Sequence, residues 1–99
     1  MAVYHIAVTE EAKADLSYYT AFQRKTMVAA MRAQLTGSLA AETRNQKRLR
    51  DNPVARWELR SGHYRIFYEV DETAGQVTIV AVGHKDHNRL FIRGQEVQL

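Results

Sequence analysis

Two short runs of alternating apolar and charged residues flank the dipeptide Ser61-Gly62, and this pattern constrains the fold more than any other part of the chain. A Ser-Gly pair between such runs predicts a β-hairpin with a two-residue turn. In the predicted register Leu59 opposes Tyr64 and Glu58 opposes Arg65, which separates the apolar from the charged side chains. The apolar face is expected to pack against helices and contains Trp57, Leu59, Tyr64 and Ile66. The charged face contains Arg56, Glu58, Arg60, His63 and Arg65.

The rest of the chain predicts one strand, two helices and further strands. Residues 3–8 favour a strand, and Thr9 is expected to cap a helix whose first turn holds Glu10 and Glu11. A second helix is predicted over residues 22–35, ended by Gly37 and Ser38. Strands are predicted over residues 54–60, 63–70 and 77–83, the last of them central in the sheet. Residues 88–99 are expected to form an edge strand or a short packed tail.

This order of elements, β-α-α-β-β-β, predicts an α+β fold in which an N-terminal helical hairpin packs on a small, mostly antiparallel sheet. The 99 residues contain no repeat or internal linker, so residues 1–99 are expected to form a single domain. The absence of cysteine excludes disulfides, thiolate zinc sites and cysteine nucleophiles. The sequence shows no signal peptide and no run of about 18 apolar residues, so we expect a cytoplasmic protein that does not enter a membrane.

Positive charge is concentrated in the middle of the chain. Residues 44–65 carry seven basic and two acidic side chains, a net charge of +5, whereas residues 1–43 are neutral and residues 66–99 carry −2. Such a cluster is typical of surfaces that bind phosphate groups, although a solvated basic surface without a ligand has the same composition. Besides the arginines of the hairpin, the cluster contains Lys47, Arg48 and Arg50 as candidate phosphate-binding residues.

Two histidines, His84 and His87, follow the predicted central strand and flank Asp86. Histidine can transfer a proton near neutral pH, so either residue could act as an acid or a base beside the arginines. A metal site built from the two histidines and Asp86 is a weaker hypothesis, because no further ligands are evident elsewhere in the chain. The third interpretation of this segment is a polar loop that follows a strand and has no chemical role.

The combination of short motifs resembles the RelE/ParE toxin superfamily, from the first strand to about Phe91. The motifs that carry the resemblance are Trp57-Glu58-Leu59-Arg60, Gly62-His63-Tyr64-Arg65-Ile66-Phe67-Tyr68 and Val80-Ala81-Val82-Gly83-His84-Lys85. The resemblance implies a toxin of a type II toxin–antitoxin system. RelE-like members cut mRNA in the ribosomal A site without a metal, by attack of a ribose 2′-hydroxyl on the neighbouring phosphate.

The resemblance also implies roles for individual residues. Arg65 matches the arginine of the Tyr-Arg motif, which contacts the phosphate or its transition state, and Arg60 matches the Leu-Arg arginine. Lys85 occupies the position of a catalytic arginine. Arg56 falls where relatives often have a lysine, and Glu58 falls where they have a lysine or an acid.

One position departs from the family pattern. Phe91 falls near the catalytic tyrosine of RelE-like enzymes, and a phenylalanine cannot donate a proton. Either His84, His87 or Glu58 therefore does the acid and base work, or the chain is a weak or different toxin. Without them, the fold would serve a ParE-like inhibitor of DNA gyrase, or an inactive relative that only binds its antitoxin.

The expected function is that of a ribosome-dependent mRNA endonuclease that inhibits translation and needs no metal or other cofactor. The expected partners are a cognate antitoxin, in a toxin–antitoxin hetero-oligomer, and mRNA in the A site of the 30S ribosomal subunit. Fold alone does not decide between this function, inhibition of DNA gyrase and antitoxin binding without catalysis.

Overall fold

The computed structural model describes residues 4–36 and 45–99, and the described elements confirm an α+β fold. In chain order they are β1 (His5–Val8), α1 (Glu10–Ser17), α2 (Ala21–Gln34), β2 (Gln46–Arg48), β3 (Trp57–Ser61), β4 (Tyr64–Asp71), β5 (Gln76–Asp86), β6 (Arg89–Ile92) and β7 (Gln95–Val97). Strand β2 was not predicted, and the C-terminal segment forms two strands rather than one strand or a tail. Gly37 and Ser38 lie outside the described residues. None of the described helices is long and apolar enough to cross a membrane.

The described strands form one sheet in the order β2-β3-β4-β5-β6-β7, with antiparallel neighbours throughout. Strand β5 is central, as predicted. One of its edges pairs with β4, while the other pairs with parallel β1 over residues 76–79 and with β6 over residues 84–86. Between these two partners, the amide of Val82 donates to the carboxylate of Asp15 on α1 at 3.1 Å. The side chain of a helix thus replaces a strand partner at this point.

Helix α1 begins after its predicted cap, Thr9, and α2 begins after Thr20, which was not predicted as a cap. The hydroxyl of Thr9 accepts from the amide of Ala12, and Thr20 forms a reciprocal capping box with Gln23 at the start of α2. The helices pack on one face of the sheet, which we call the helix face. Its buried core combines Ala12, Tyr19, Met27, Met31 and Leu35 with Trp57, Leu59, Tyr64, Ile66, Tyr68, Val77, Ile79 and Val82.

The predicted hairpin is present, but its register is wrong. The turn consists of Gly62 and His63, Ser61 pairs with Tyr64, and Leu59 pairs with Ile66. Gly62 has φ 59°, and a positive φ at the first turn residue is what a type II′ turn requires. Because each residue of β3 is displaced by two positions along β4, the side chains of these two strands keep their predicted faces. Glu58 therefore opposes Phe67 instead of Arg65. His63 does not keep its predicted face: it lies in the turn, and its ring is 4.4 Å from that of Tyr64 and 6.4 Å from that of His84 instead of beside the arginines.

The face of the sheet opposite the helices carries a second, smaller core. Phe67 is fully buried there among Ala55, Ala81 and Leu90. The loop of residues 49–55 and the C-terminal strands supply the flanking apolar side chains, which are Leu49, Val54, Val80, Ile92 and Val97. This face, which we call the tail face, is thus only partly available to a ligand.

Candidate functional site

A concavity of about 450 Å³ on the tail face collects most of the predicted phosphate-binding residues. Strand β2 and the start of the 49–55 loop form one wall, β3 forms the floor, and the end of β5 forms the opposite side. We call it the basic concavity, and its lining residues are Lys47, Arg48, Leu49, Arg50, Asn52, Glu58, Arg60, Lys85 and Leu99. The single acid in this set is Glu58.

Glu58 lies at the floor of the basic concavity, where only 2% of its surface is exposed. Lys47 opposes it on β2, and the Nε atom of Arg60 contacts its Oε1 atom at 3.0 Å. A carboxylate removed from water is stable as an anion only when cations or hydrogen-bond donors face it. The ion pair with Arg60 meets this requirement, so Glu58 is held as a negative group inside a positive rim.

The remaining cations of the basic concavity are not neutralised. Within residues 4–36 and 45–99, the side chains of Lys47, Arg50 and Lys85 make no ion pair. Arg48 differs from them, because it opposes Trp57 in the β2–β3 pair and its guanidinium lies 5.8 Å from the centre of the Trp57 ring, so this charge is held on the helix face. The concavity therefore presents a positive field to an approaching phosphate.

Arg65 shares the tail face with Arg60 but does not line the basic concavity. Its Nη1 atom donates to the carbonyl oxygens of Gly62 and Tyr64, both at 2.8 Å, so the guanidinium braces the β3–β4 turn. Burial lowers the pKa of Arg65, Glu58 acts to raise it, and the like charge of Arg60 lowers it further. The predicted cross-strand pair of Arg65 with Glu58 is replaced by the pair of Glu58 with Arg60 on the same strand.

His84 lies on the helix face, so the prediction that it sits beside the arginines is wrong. It pairs across the sheet with Tyr64, and its Nδ1 atom is 2.7 Å from the hydroxyl of Tyr19. Burial raises the pKa of Tyr19 to about 12, so the hydroxyl is neutral and can donate to the ring nitrogen. Burial also lowers the pKa of His84, and His63 lowers it further. Phe91 stacks on His84 at 5.7 Å, on the same face.

His87 and Arg56 also lie away from the basic concavity. His87 is in the turn between β5 and β6, its side chain is 93% exposed, and its Nδ1 atom contacts Asp86 at 2.6 Å. Arg56 lies on the far side of the 49–55 loop. Of the predicted site residues, the structure therefore brings together Glu58, Arg60, Lys85, Lys47 and Arg50. Arg48 also lines the basic concavity but has its guanidinium over Trp57, and Arg56, Arg65, His84 and His87 are separated from the site. The described residues include no group of three or more acids or histidines placed to hold a metal.

Three structurally important residues were missed in the sequence. Tyr19 holds His84, and Asn52 organises the loop that forms one wall of the concavity. Asp15 is buried on α1, where its Oδ1 atom contacts Arg93 at 2.8 Å. Burial raises the pKa of Asp15, while the Val82 amide and Arg93 oppose that shift. The burial of Asp15 could have been predicted, since it stands at helical spacing between Ala12 and Tyr19 on the buried stripe of α1.

Asp15 and Arg93 line a larger concavity, of about 560 Å³, next to the β6–β7 hairpin. Its central charges neutralise each other, and the second carboxylate oxygen of Asp15 is used by the Val82 amide. The groups of this concavity thus join α1 to β5 and to the turn at Arg93. The basic concavity, with its uncompensated cations, is the better candidate for a ligand site.

Comparison with known proteins agrees with this architecture. The family model of the ParE toxin of the type II toxin–antitoxin system parDE matches residues 6–89. The structure is similar to a chain of the toxin–antitoxin complex RelBE2 from Mycobacterium tuberculosis, with a TM-score of 0.74 and 26% sequence identity, over 86% of this chain and 94% of that chain. A search of curated proteins found no match.

Proposed function

This chain belongs to the ParE toxin family of type II toxin–antitoxin systems, within the RelE/ParE superfamily, and from the groups of the basic concavity we propose that it inhibits translation by cutting mRNA in the ribosomal A site. The observation that carries this proposal is the buried carboxylate of Glu58 at the floor of a rim of cations. Phosphate transfer from a ribose needs both a proton acceptor and positive charge at the phosphate, and the basic concavity offers both.

The proposed reaction uses the groups of the basic concavity directly. Glu58 accepts the proton of the ribose 2′-hydroxyl, and the 2′-oxygen forms a bond to the adjacent phosphorus. The bond from phosphorus to the 5′-oxygen breaks, and Lys85 supplies the proton that this leaving oxygen takes up. Arg60 and Lys47 stabilise the negative charge that develops on the phosphoryl oxygens. The products are a 2′,3′-cyclic phosphate and a 5′-hydroxyl, and no metal or cofactor takes part.

Primer extension on mRNA from translating ribosomes tests this proposal. We expect the wild-type chain to cut within A-site codons, and Glu58→Gln to lower the cleavage rate by about 10²–10⁴-fold, the usual contribution of a general base. Glu72→Gln removes an equivalent charge from the exposed β4–β5 turn and should cut at the wild-type rate. Circular dichroism and urea unfolding of each variant exclude a folding defect. A wild-type rate for Glu58→Gln would contradict the role of this carboxylate.

We further propose a cognate antitoxin as the protein partner, since RelBE2 is a toxin–antitoxin complex. An acidic segment of the antitoxin could cover the basic concavity and exclude RNA from it. Co-expression with the product of a neighbouring gene, followed by purification as a hetero-oligomer, tests this. The chain and its antitoxin would both act in the cytoplasm, where the ribosomes are.

A second candidate function is inhibition of DNA gyrase without RNA cleavage. The positions of His84, His87 and Phe91 favour it, because the basic concavity includes none of these residues. A gyrase supercoiling assay with the purified chain distinguishes the two functions. Loss of supercoiling together with intact mRNA on ribosomes would replace the nuclease proposal with this one.

A further inference from the structure

A second concavity, of about 260 Å³, is lined by the other residues of the 49–55 loop and by Arg56 and Glu69. We call it the arginine pocket, and its charged lining residues are Arg48, Arg50, Asp51, Arg56 and Glu69. Arg48 and Arg50 also line the basic concavity, so the two concavities share one wall. Arg56 and Glu69 belong to the arginine pocket alone.

The arginines of this pocket carry uncompensated charge. Arg48 is engaged over Trp57, but in the described part of the chain Arg50 and Arg56 make no ion pair, although two acids line the same pocket. Arg56 is exposed, and its guanidinium forms no hydrogen bond or ion pair with any described residue. Cations that avoid nearby acids remain available to an anionic ligand.

Asn52 fixes the wall between the two concavities. Its Oδ1 atom accepts from the amides of Val54 and Ala55, and its Nδ2 atom donates to the carbonyl oxygens of Arg50 and Ala55. These bonds, of 2.8 to 3.0 Å, close the loop on itself. The shared wall is therefore a defined surface, and its Arg50 lines both concavities.

We propose that the arginine pocket binds the phosphate backbone of nucleotides that flank the cleaved one on the same RNA strand. The identification of RNA rests on the proposed function, while the pocket itself rests on its geometry. None of its lining residues is aromatic, so it offers no ring on which a base could stack and contacts the backbone instead. A strand that crosses the Asn52 loop would occupy both concavities.

Fluorescence anisotropy with 2′-O-methylated RNA, which cannot be cleaved, tests this proposal. One oligonucleotide of about 4 nucleotides fits a single concavity, and one of about 12 nucleotides is long enough for both. We expect Arg56→Gln to weaken binding of the long oligonucleotide about threefold to fivefold, to lower its salt slope by about 0.7, and to leave the short one unchanged. Glu69→Gln should strengthen binding of the long oligonucleotide, because it removes a negative charge from the arginine pocket.

Two controls make the result specific. Lys85→Gln should weaken both oligonucleotides, because Lys85 lies in the basic concavity, and Lys25→Gln on α2 should weaken neither. The proposal is overturned if Arg56→Gln binds the long oligonucleotide like the wild type, or if it weakens both equally. If the wild type does not cut mRNA on ribosomes but the length-dependent effect of Arg56 is present, the nuclease proposal fails and the arginine pocket stands.

Discussion

His84 and Lys85 are neighbours in the sequence, but β5 directs their side chains to opposite faces of the sheet. The sequence predicted a strand that ended at Gly83, which placed both residues in one turn. In the structure β5 continues to Asp86, so strand alternation sends His84 to Tyr19 and Lys85 to the basic concavity. The contacts on either side could not be predicted, because Tyr19 and Phe91 reach His84 through tertiary packing.

The surroundings of His84 predict a pH-dependent stability. Burial lowers the pKa of His84 in the folded chain, with a further contribution from His63, so the unfolded chain binds more protons below about pH 6.5. The free energy of unfolding should therefore fall as the pH drops from about 7 to 5. Urea unfolding should show a smaller fall in His84→Gln than in the wild type. An equal fall in both proteins would contradict this assignment.

At the level of elements, local signals predicted the helices better than the strands. Thr9 marked the start of α1 because capping depends on residues within one turn, and the apolar periodicity placed α2 within one residue of its observed start and end. Strand β2 has the sequence Gln46-Lys47-Arg48, which has no preference for a strand, and it forms because β3 offers a free edge. The register of the hairpin was wrong by one turn position, because Ser61-Gly62 and Gly62-His63 are both acceptable turn pairs.

Gly83 allows the β6 strand to pass close to β5. A Cβ atom at this position would lie 2.5 Å from the carbonyl oxygen of Phe91 and 3.0 Å from a side-chain carbon of Ile92. We expect Gly83→Ala to lower the free energy of unfolding by about 1–3 kcal/mol, as overpacking does, when measured by urea unfolding. In Gly62→Asn no atom opposes the new Cβ and asparagine tolerates a positive φ, so this variant should change stability much less. Similar losses in the two variants would argue against a steric role for Gly83.

At the scale of the whole molecule, the ion pairs distinguish the charges that join elements from the charges that remain available to a ligand. Asp15 with Arg93 and Arg89 with Glu96 join elements at the C-terminal side of the sheet. In the basic concavity the pair of Glu58 with Arg60 is the one ion pair between described residues. The basic composition of residues 44–65 predicted this excess of cations. It could not predict their division between two concavities, since that depends on how the Asn52 loop folds.

The number of cations without an ion pair predicts the salt dependence of RNA binding. Four side chains that line the two concavities have no ion pair partner in the described residues and are not held on the helix face, namely Lys47, Arg50, Arg56 and Lys85. If each contacts one phosphate of a single strand, the logarithm of the binding constant should fall with the logarithm of salt concentration with a slope of about −2.8, at about −0.7 per contact. Anisotropy titrations of the uncleavable oligonucleotide of about 12 nucleotides, between about 50 and 200 mM salt, measure this slope. Lys25→Gln should keep the wild-type slope, because Lys25 is on α2. A slope near zero would mean that these cations do not meet phosphates, and would count against both concavities as parts of one RNA-binding surface.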